Sequence, residues 1–110
     1  MKTRQKIKQE EMRIRELLYE NEPAAIRAWK RMMDYFTTND YLEGNNHIKI
    51  ISYIYLTRHY LDETFYCCAW KNFIGERTLY RYRKKYVSCF TRFYKEEKSA
   101  EKKLIELQTV

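Results

Sequence analysis

Residues 64–85, TFYCCAWKNFIGERTLYRYRKK, contain the pattern that decides how the rest of the chain is interpreted. The pattern predicts a short helix over about residues 65–72, a tight connection at 73–75, and a second helix that begins at Glu76. Gly75 can either adopt a positive φ angle or precede the second helix as its N-cap. Two helices joined by so short a turn are typical of a helix-turn-helix, which lays its second helix in the major groove of DNA.

The second helix of this pattern has one apolar face and one strongly basic face. Apolar residues recur at spacings of three and four, which predicts a buried stripe. The stripe consists of Leu79, Tyr82, Tyr86, Phe90 and Phe93. The basic residues between them are Arg77, Arg81, Arg83, Lys84, Lys85, Arg92 and Lys95, and no acid occurs from Arg77 through Lys95. An ordinary solvated helix face mixes both signs of charge. The acid-free face therefore indicates contact with phosphates and with guanine edges.

At these residues the chain resembles the C-terminal helix-turn-helix of bacterial sigma factors. It resembles still more the small phage-encoded sigma-like transcriptional activators of the ArpU and RinA type. Their pattern reads T-φ-x-x-φ-A-x-x-φ-G-φ-S-x-x-T-φ-Y-R-φ-R, where φ is apolar. The residues that match in register are Thr64, Phe65, Cys68, Ala69, Ile74, Thr78, Leu79, Tyr80, Arg81, Tyr82 and Arg83. Three positions depart from the pattern, with Asn72 in place of an apolar residue, Phe73 in place of glycine and Gly75 in place of serine.

The resemblance implies a sequence-specific DNA-binding regulator of transcription, a phage late-gene activator that acts with host RNA polymerase in the bacterial cytoplasm. The N-terminal residues of a recognition helix face the bases. We therefore expect Glu76, Arg77, Tyr80 and Arg81 to face bases, and Thr78, Lys84 and Lys85 to hold phosphates. The full set of candidate DNA-binding residues is Glu76, Arg77, Thr78, Tyr80, Arg81, Arg83, Lys84 and Lys85.

The whole chain of 110 residues is expected to be one small all-α domain with a C-terminal helix-turn-helix and a long final helix. Only two glycines and one proline occur, and 34% of the residues are charged, which is typical of helical proteins. We divide the chain into a charged N-terminal helix (1–22), a helical core (23–61), the helix-turn-helix (64–95) and a helical tail (96–110). No helix breaker lies in the tail, so the final helix is expected to extend over about 48 Å at 1.5 Å per residue.

Turn-forming residues predict the boundaries in the helical core. Asn21 is expected to cap the second helix, with Pro23 in its first turn. Residues 37–40 are expected to interrupt that helix. A third helix is expected over residues 47–61, with Leu61 facing inward. The alternation of apolar residues in this segment would also suit a strand, but helix is preferred because no other segment offers a partner strand.

Composition limits the classes of function. The net charge of +7 favours an anionic partner. Double-stranded DNA is favoured over a membrane because the basic residues alternate with tyrosines on a patterned helix. The longest apolar run, around residues 48–56, is too short to span a bilayer. The three cysteines lack the paired spacing of a zinc site and are expected to be free thiols in a reducing cytoplasm, so no metal or cofactor is expected. No enzyme signature is visible, and an enzyme is not expected.

Two other classes of protein remain open. One is a phage terminase small subunit, although such proteins usually carry a longer oligomerisation region. The other is a protein-binding inhibitor, such as an anti-CRISPR or anti-host factor built on a helix-turn-helix. For a DNA-binding regulator we expect a symmetric homodimer, because one helix-turn-helix reads only a few base pairs. The two copies would contact each other through an apolar seam in the tail, which consists of Ala100, Leu104, Ile105 and Leu107. The alternative is that this seam folds back on the core of its own chain.

Overall fold

The computed structural model describes residues 3–57 and 63–108, and within these ranges every regular element is a helix. The helices are α1 (Arg4–Tyr19), α2 (Pro23–Glu43), α3 (His47–Tyr55), α4 (Phe65–Lys71) and α5 (Glu76–Gln108). This confirms the prediction of an all-α fold with a long final helix. The strand alternative for the third segment is wrong, because residues 47–55 are helical. The predicted extent of this helix, residues 47–61, is too long, because α3 ends at Tyr55 and Leu56 and Thr57 are not helical. The predicted inward side chain of Leu61 lies outside the described residues.

The start of α2 differs from the prediction in its capping residue. Glu22, not Asn21, is the N-cap, and its two carboxylate oxygens accept the backbone N–H groups of Ala24 and Ala25 at 3.2 and 3.1 Å. Asn21 instead has a φ angle of 56° in the turn that follows α1. Pro23 lies at the first helical position, where its missing N–H costs nothing. Glu22 is the better N-cap because its carboxylate accepts two backbone N–H groups that would otherwise have no partner in the helix.

The predicted interruption of α2 at residues 37–40 is wrong, since the helix continues to Glu43. That segment contains neither proline nor glycine, so no helix breaker ends the helix there, although no residue of α2 after Phe36 is buried. Gly44 ends it, with a φ angle of 69° in the left-handed region. The carboxylate of Asp40 then starts α3 by accepting the backbone N–H groups of His47 and Ile48 at 2.8 and 2.9 Å.

Helix α5 is the axis on which the other helices pack, and α2 makes the most extensive contact with it. Four of the five residues of its predicted apolar stripe are buried, namely Leu79, Tyr86, Phe90 and Phe93. Tyr82 is half-buried, with its ring centroid 4.6 Å from that of His47. At 33 residues, α5 is about 50 Å long. None of the helices in residues 3–57 and 63–108 is long and apolar enough to cross a membrane.

Candidate nucleic-acid interface

The connection between α4 and α5 is a four-residue turn, residues 72–75. Helix α4 ends in a Schellman motif, in which the N–H of residue 74 donates to the carbonyl of Ala69 at 3.1 Å and the N–H of Phe73 donates to the carbonyl of Trp70 at 3.2 Å. This motif needs one residue in the left-handed region, and that residue is Phe73, with a φ angle of 58°. It occupies the position at which the resembling activators have glycine.

Gly75 has the second of the two roles expected for it. Its φ angle is not positive, and its carbonyl accepts the N–H of Leu79 at 2.9 Å, which places it immediately before the first turn of α5. The left-handed conformation therefore falls on an aromatic residue rather than on the nearby glycine. A non-glycine residue in this region costs about 1–2 kcal/mol.

Six basic side chains form a continuous stripe on the outer face of α5. This basic stripe consists of Arg77, Arg81, Lys84, Lys85, Arg92 and Lys95. The spacing of three, four and seven residues puts them on the face opposite the core, where five are exposed and Lys84 is half-buried. Within residues 3–57 and 63–108, none of the six forms an ion pair. From Arg77 to Lys95 the stripe is about 27 Å long.

The two outer arginines of α2 contrast with the stripe because acids of α5 neutralise them. Arg27 donates to Glu97 at 2.7 Å and to Glu101 at 2.6 Å, and Arg31 donates to Glu96 at 2.9 Å and to Glu97 at 3.0 Å. The hydrogen bonds from Arg27, followed by those from Arg31, lower the pKa of Glu97. Glu96, Glu97 and Glu101 of α5 thus turn toward α2, and no acid of the described residues forms an ion pair with the basic stripe.

The prediction that Arg83 contacts DNA is wrong, because its side chain is fully buried. Its guanidinium forms a two-point ion pair with Glu11 of α1, with Nε–Oε2 at 3.0 Å and Nη2–Oε1 at 2.7 Å, and lies 4.3 Å from the ring centroid of Phe65. The hydroxyl of Tyr55 donates to the same carboxylate at 2.6 Å. We call Glu11, Tyr55 and Arg83 the buried ion network. Burial, followed by the charge of Glu11, raises the pKa of Tyr55 well above its ordinary value.

Two of the residues predicted to face bases, Glu76 and Tyr80, lie against α1. The carboxylate of Glu76 accepts a hydrogen bond from Arg4 at 2.8 Å. The guanidinium of Arg4 lies 5.0 Å from the ring of Phe65 and 5.9 Å from that of Tyr80, which is itself half-buried. Base contact by Glu76 would therefore require it to leave Arg4. Arg77, Arg81, Lys84 and Lys85 lie on the outer side of the helix, and Arg81 donates to the Thr78 hydroxyl at 3.5 Å.

A pocket on the α2 side of the basic stripe contains residues that the candidate site did not include. Its volume is about 270 Å³, and it is lined by Tyr35, Phe36, Lys85, Ser88, Cys89 and Arg92. The pocket combines cations, hydroxyls and a half-buried thiol, and no carboxylate lines it. Tyr35 belongs to α2, and no spacing within one helix could have placed it beside residues 85–92. Arg92 could have been included from the sequence alone, because it lies on the same acid-free face of the helix as Lys85.

The outer side of α4 carries a second unusual surface, which we call the aromatic stripe. Tyr66, Trp70 and Phe73 follow one another at spacings of four and three, and they are 66%, 72% and 89% exposed. A shallow cavity lies between Trp70 and Phe73, with Lys71 and Ile74 completing its wall. Aromatic side chains as large as these each bury 150–250 Å² on contact, so the stripe is a candidate surface for a macromolecular partner.

The cysteines are the remaining reactive groups. The three cysteines are free thiols, of which Cys67 is exposed and Cys68 is buried. Burial raises the pKa of Cys68 to about 11. In the described ranges, no cluster of His, Cys, Asp and Glu could hold a metal ion. Comparison of the chain with protein-family models, with curated proteins and with solved structures found no match in any of the three.

Proposed function

We propose that this protein is a sequence-specific, double-stranded-DNA-binding regulator of transcription, and that α4 and α5 act as its helix-turn-helix. The observation that carries the proposal is the basic stripe, in which six cations share one face of a helix and form no ion pair with any other residue that the structure describes. The four-residue turn between α4 and α5 supports it, because a turn of this length joins the two helices of a helix-turn-helix. A phage late-gene activator that works with host RNA polymerase is the specific role we favour.

In this proposal the first turns of α5 enter the major groove, which is about 12 Å wide and admits a helix. Arg77 and Arg81 are the residues that read bases, since an arginine can make a two-point contact with guanine. Lys84 and Lys85 hold phosphates on the groove edge, and the rest of the stripe continues along the backbone. A stripe of about 27 Å corresponds to roughly eight nucleotides at 3.4 Å each.

Two further partners belong to the same proposal. A second copy would bind through the tail, where Leu104 and Leu107 are exposed on the C-terminal side of the ion pair between Arg27 and Glu101. This would place two recognition helices on one DNA site. RNA polymerase would bind at the aromatic stripe, which lies on α4 and leaves the basic stripe available for DNA. The location of such a regulator would be the bacterial cytoplasm.

The test is the salt dependence of binding to duplex DNA selected from a random pool, measured by fluorescence anisotropy. The logarithm of the affinity should fall linearly with the logarithm of salt concentration, with a slope of about 0.9 per phosphate contact. Lys85→Ala should lower that slope by about one and weaken all sequences equally. Arg81→Ala should instead relax the preference at one base pair, which is worth about 1–3 kcal/mol.

The matched control is Lys30→Ala, which removes the same charge from an exposed position of α2 outside the stripe. It should leave both the slope and the base preference unchanged. The proposal would be refuted if the affinity for duplex DNA were the same at low and moderate salt. Equal losses in the Lys30 and Lys85 variants would also contradict it, because they would show only a general effect of net charge.

The aromatic stripe favours one other function, a protein-binding factor that acts on a host protein. Trp70 and Phe73 are neighbouring large apolar side chains that are 72% and 89% exposed, and contiguous exposed apolar surface marks interaction sites. This function predicts that the chain fails the DNA assay above while Trp70→Ser abolishes binding to its protein target. Tyr41→Ser, at an equally exposed aromatic residue of α2, is the matched control.

A further inference from the structure

We propose that the pocket between α2 and α5 is a binding site for a single phosphoryl group, held by Lys85, Ser88 and Arg92 of α5 and by the hydroxyl of Tyr35 from α2. The inference rests on the proposed function in one respect, since it takes the natural ligand to be a backbone phosphate of bound DNA. It adds a second helix to the interface and makes Tyr35, a residue outside the basic stripe, a DNA contact. We call this site the phosphate pocket.

The two cations of the phosphate pocket, Lys85 and Arg92, lie two helical turns apart. Lys85, Ser88 and Arg92 have the spacing i, i+3, i+7 and therefore share one side of α5. The ammonium of Lys85 lies 6.0 Å from the ring centroid of Phe36, which belongs to α2. The guanidinium of Arg92 lies 4.9 Å from the ring of Phe93, which also contacts Arg31 of α2. Arg92 also lines the same cavity as Tyr35 and Phe36, so both exposed cations border α2.

The lining selects an anion that accepts hydrogen bonds. Lys and Arg only donate, and the hydroxyls of Ser88 and Tyr35 can donate as well. No carboxylate lines the pocket, so a cation or a metal ion would find no counter-charge there. The planar guanidinium of Arg92 matches the geometry of two phosphate oxygens. The charge and donor set therefore fit a phosphoryl group better than a neutral or cationic ligand.

The size and position of the pocket favour a phosphate that belongs to a polymer. A volume of about 270 Å³ accommodates a phosphoryl group together with several waters, each of which occupies about 30 Å³. Lys85 and Arg92 are themselves members of the basic stripe, so the pocket is continuous with the surface that would follow a DNA strand. A contact from α2 would fix the angle at which α5 lies in the groove, since one helix alone can rotate about its own axis.

Cys89 supplies a reporter inside the pocket. Its thiol lines the cavity and is half-buried, whereas Cys67 is exposed on α4. We would measure the rate of alkylation of each cysteine by N-ethylmaleimide, resolved by mass spectrometry of the peptides, in the full chain. The arms are no ligand, inorganic phosphate at millimolar concentration, and the duplex selected in the DNA-binding assay. Alkylation of Cys89 should slow several-fold with the duplex and with inorganic phosphate, and that of Cys67 should not change.

Tyr35→Phe tests the contact from α2 without changing the charge. It should weaken DNA binding by roughly ten-fold, the usual effect of losing a hydrogen bond to a charged group, and should reduce the protection of Cys89. Tyr41→Phe removes the same hydroxyl from the same helix outside the pocket and should leave both readouts unchanged. Neither variant removes a buried group, since Tyr35 is 46% exposed and Tyr41 is 87% exposed.

The outcomes separate this inference from the proposed function. If DNA binds but Cys89 is not protected and the two tyrosine variants behave alike, the phosphate pocket is refuted and the DNA-binding function stands. If the duplex does not bind but inorganic phosphate protects Cys89, the pocket is a site for free phosphate and the DNA-binding function fails. If neither the duplex nor inorganic phosphate protects Cys89, the pocket is refuted both as a contact for DNA phosphate and as a site for free phosphate.

Discussion

Replacement of Glu11 by alanine should destabilise the fold by about 3–5 kcal/mol, the usual cost of breaking a buried ion pair by removing one partner. The carboxylate of Glu11 is fully buried and accepts three hydrogen bonds, two from Arg83 and one from Tyr55. Its removal leaves a buried guanidinium without a counter-charge. It also leaves the Tyr55 hydroxyl without an acceptor, which by itself costs about 1–3 kcal/mol.

This loss is a large share of the stability that a domain of this size has, since total free energies of unfolding are about 5–15 kcal/mol. The assay is urea denaturation followed by circular dichroism at 222 nm, with the free energy obtained by linear extrapolation. The matched comparison is Glu11→Leu combined with Arg83→Met, which removes both charges and keeps the volume. Apolar replacement of a whole buried pair is often neutral, so the double variant should be more stable than Glu11→Ala.

The reasoning about the buried ion network would be refuted if Glu11→Ala cost less than about 1 kcal/mol, the range found for exposed pairs. It would also be refuted if the effects of Glu11→Leu and Arg83→Met simply added in the double variant. Residues in direct contact show coupling energies of about 0.5–3 kcal/mol, and a fully buried two-point pair should lie at the upper end of that range.

Three other predictions concern single features of the fold. Phe73→Gly should stabilise the protein by about 0.5–1 kcal/mol in urea denaturation, since it removes the left-handed strain at φ 58° at the cost of chain entropy; a loss of stability would contradict this. Burial lowers the pKa of His47 below 6.5, so the unfolded state binds its proton first. The contribution of His47 to stability should be constant above about pH 7.5 and fall below pH 6.5 by up to about 1.4 kcal/mol per pH unit. His47→Gln should remove that part of the pH dependence, and identical profiles for the two proteins would contradict the assignment. Leu104→Asp with Leu107→Asp should convert a dimer into a folded monomer in light scattering, and an unmutated protein that is monomeric at micromolar concentration would refute the tail contact.

The sequence predicted best those elements whose signal is local. Helix α4 was predicted over residues 65–72 and is observed over Phe65–Lys71, and α5 was predicted to begin at Glu76, where it does begin. Both predictions depended on apolar spacing and on a turn between the helices, which are properties of neighbouring residues. The end of α2 was predicted less well, because Thr37 and the polar residues after it are compatible with a turn as well as with a helix.

The error at Arg83 shows what local reasoning leaves out. The buried face of α5 runs through Leu79, Arg83, Tyr86 and Phe90 at spacings of four, three and four, so position 83 belongs to the apolar stripe. An arginine is usually a surface residue, whereas the spacing of position 83 indicated that it belongs to the core. Glu11 carries the same signal in α1, where it lies four residues after Ile7 and three before Ile14. Glu11 and Arg83 each lie on a stripe whose spacing predicts burial, but only the folded structure shows that the two residues pair.

The pairing of Glu11 with Arg83 also has a consequence for the order of folding. The two residues are separated by 72 positions, so the buried acid of α1 has no counter-charge until most of the chain has been made. Helix formation itself is local and fast, whereas closing a loop of this length must precede any gain from the contact. Folding of α1 onto the domain therefore waits for α5. The backbone amide hydrogens of α1 and of the start of α5 should exchange with solvent as one cooperative unit. A local unfolding event that releases α1 should therefore release the start of α5 with it.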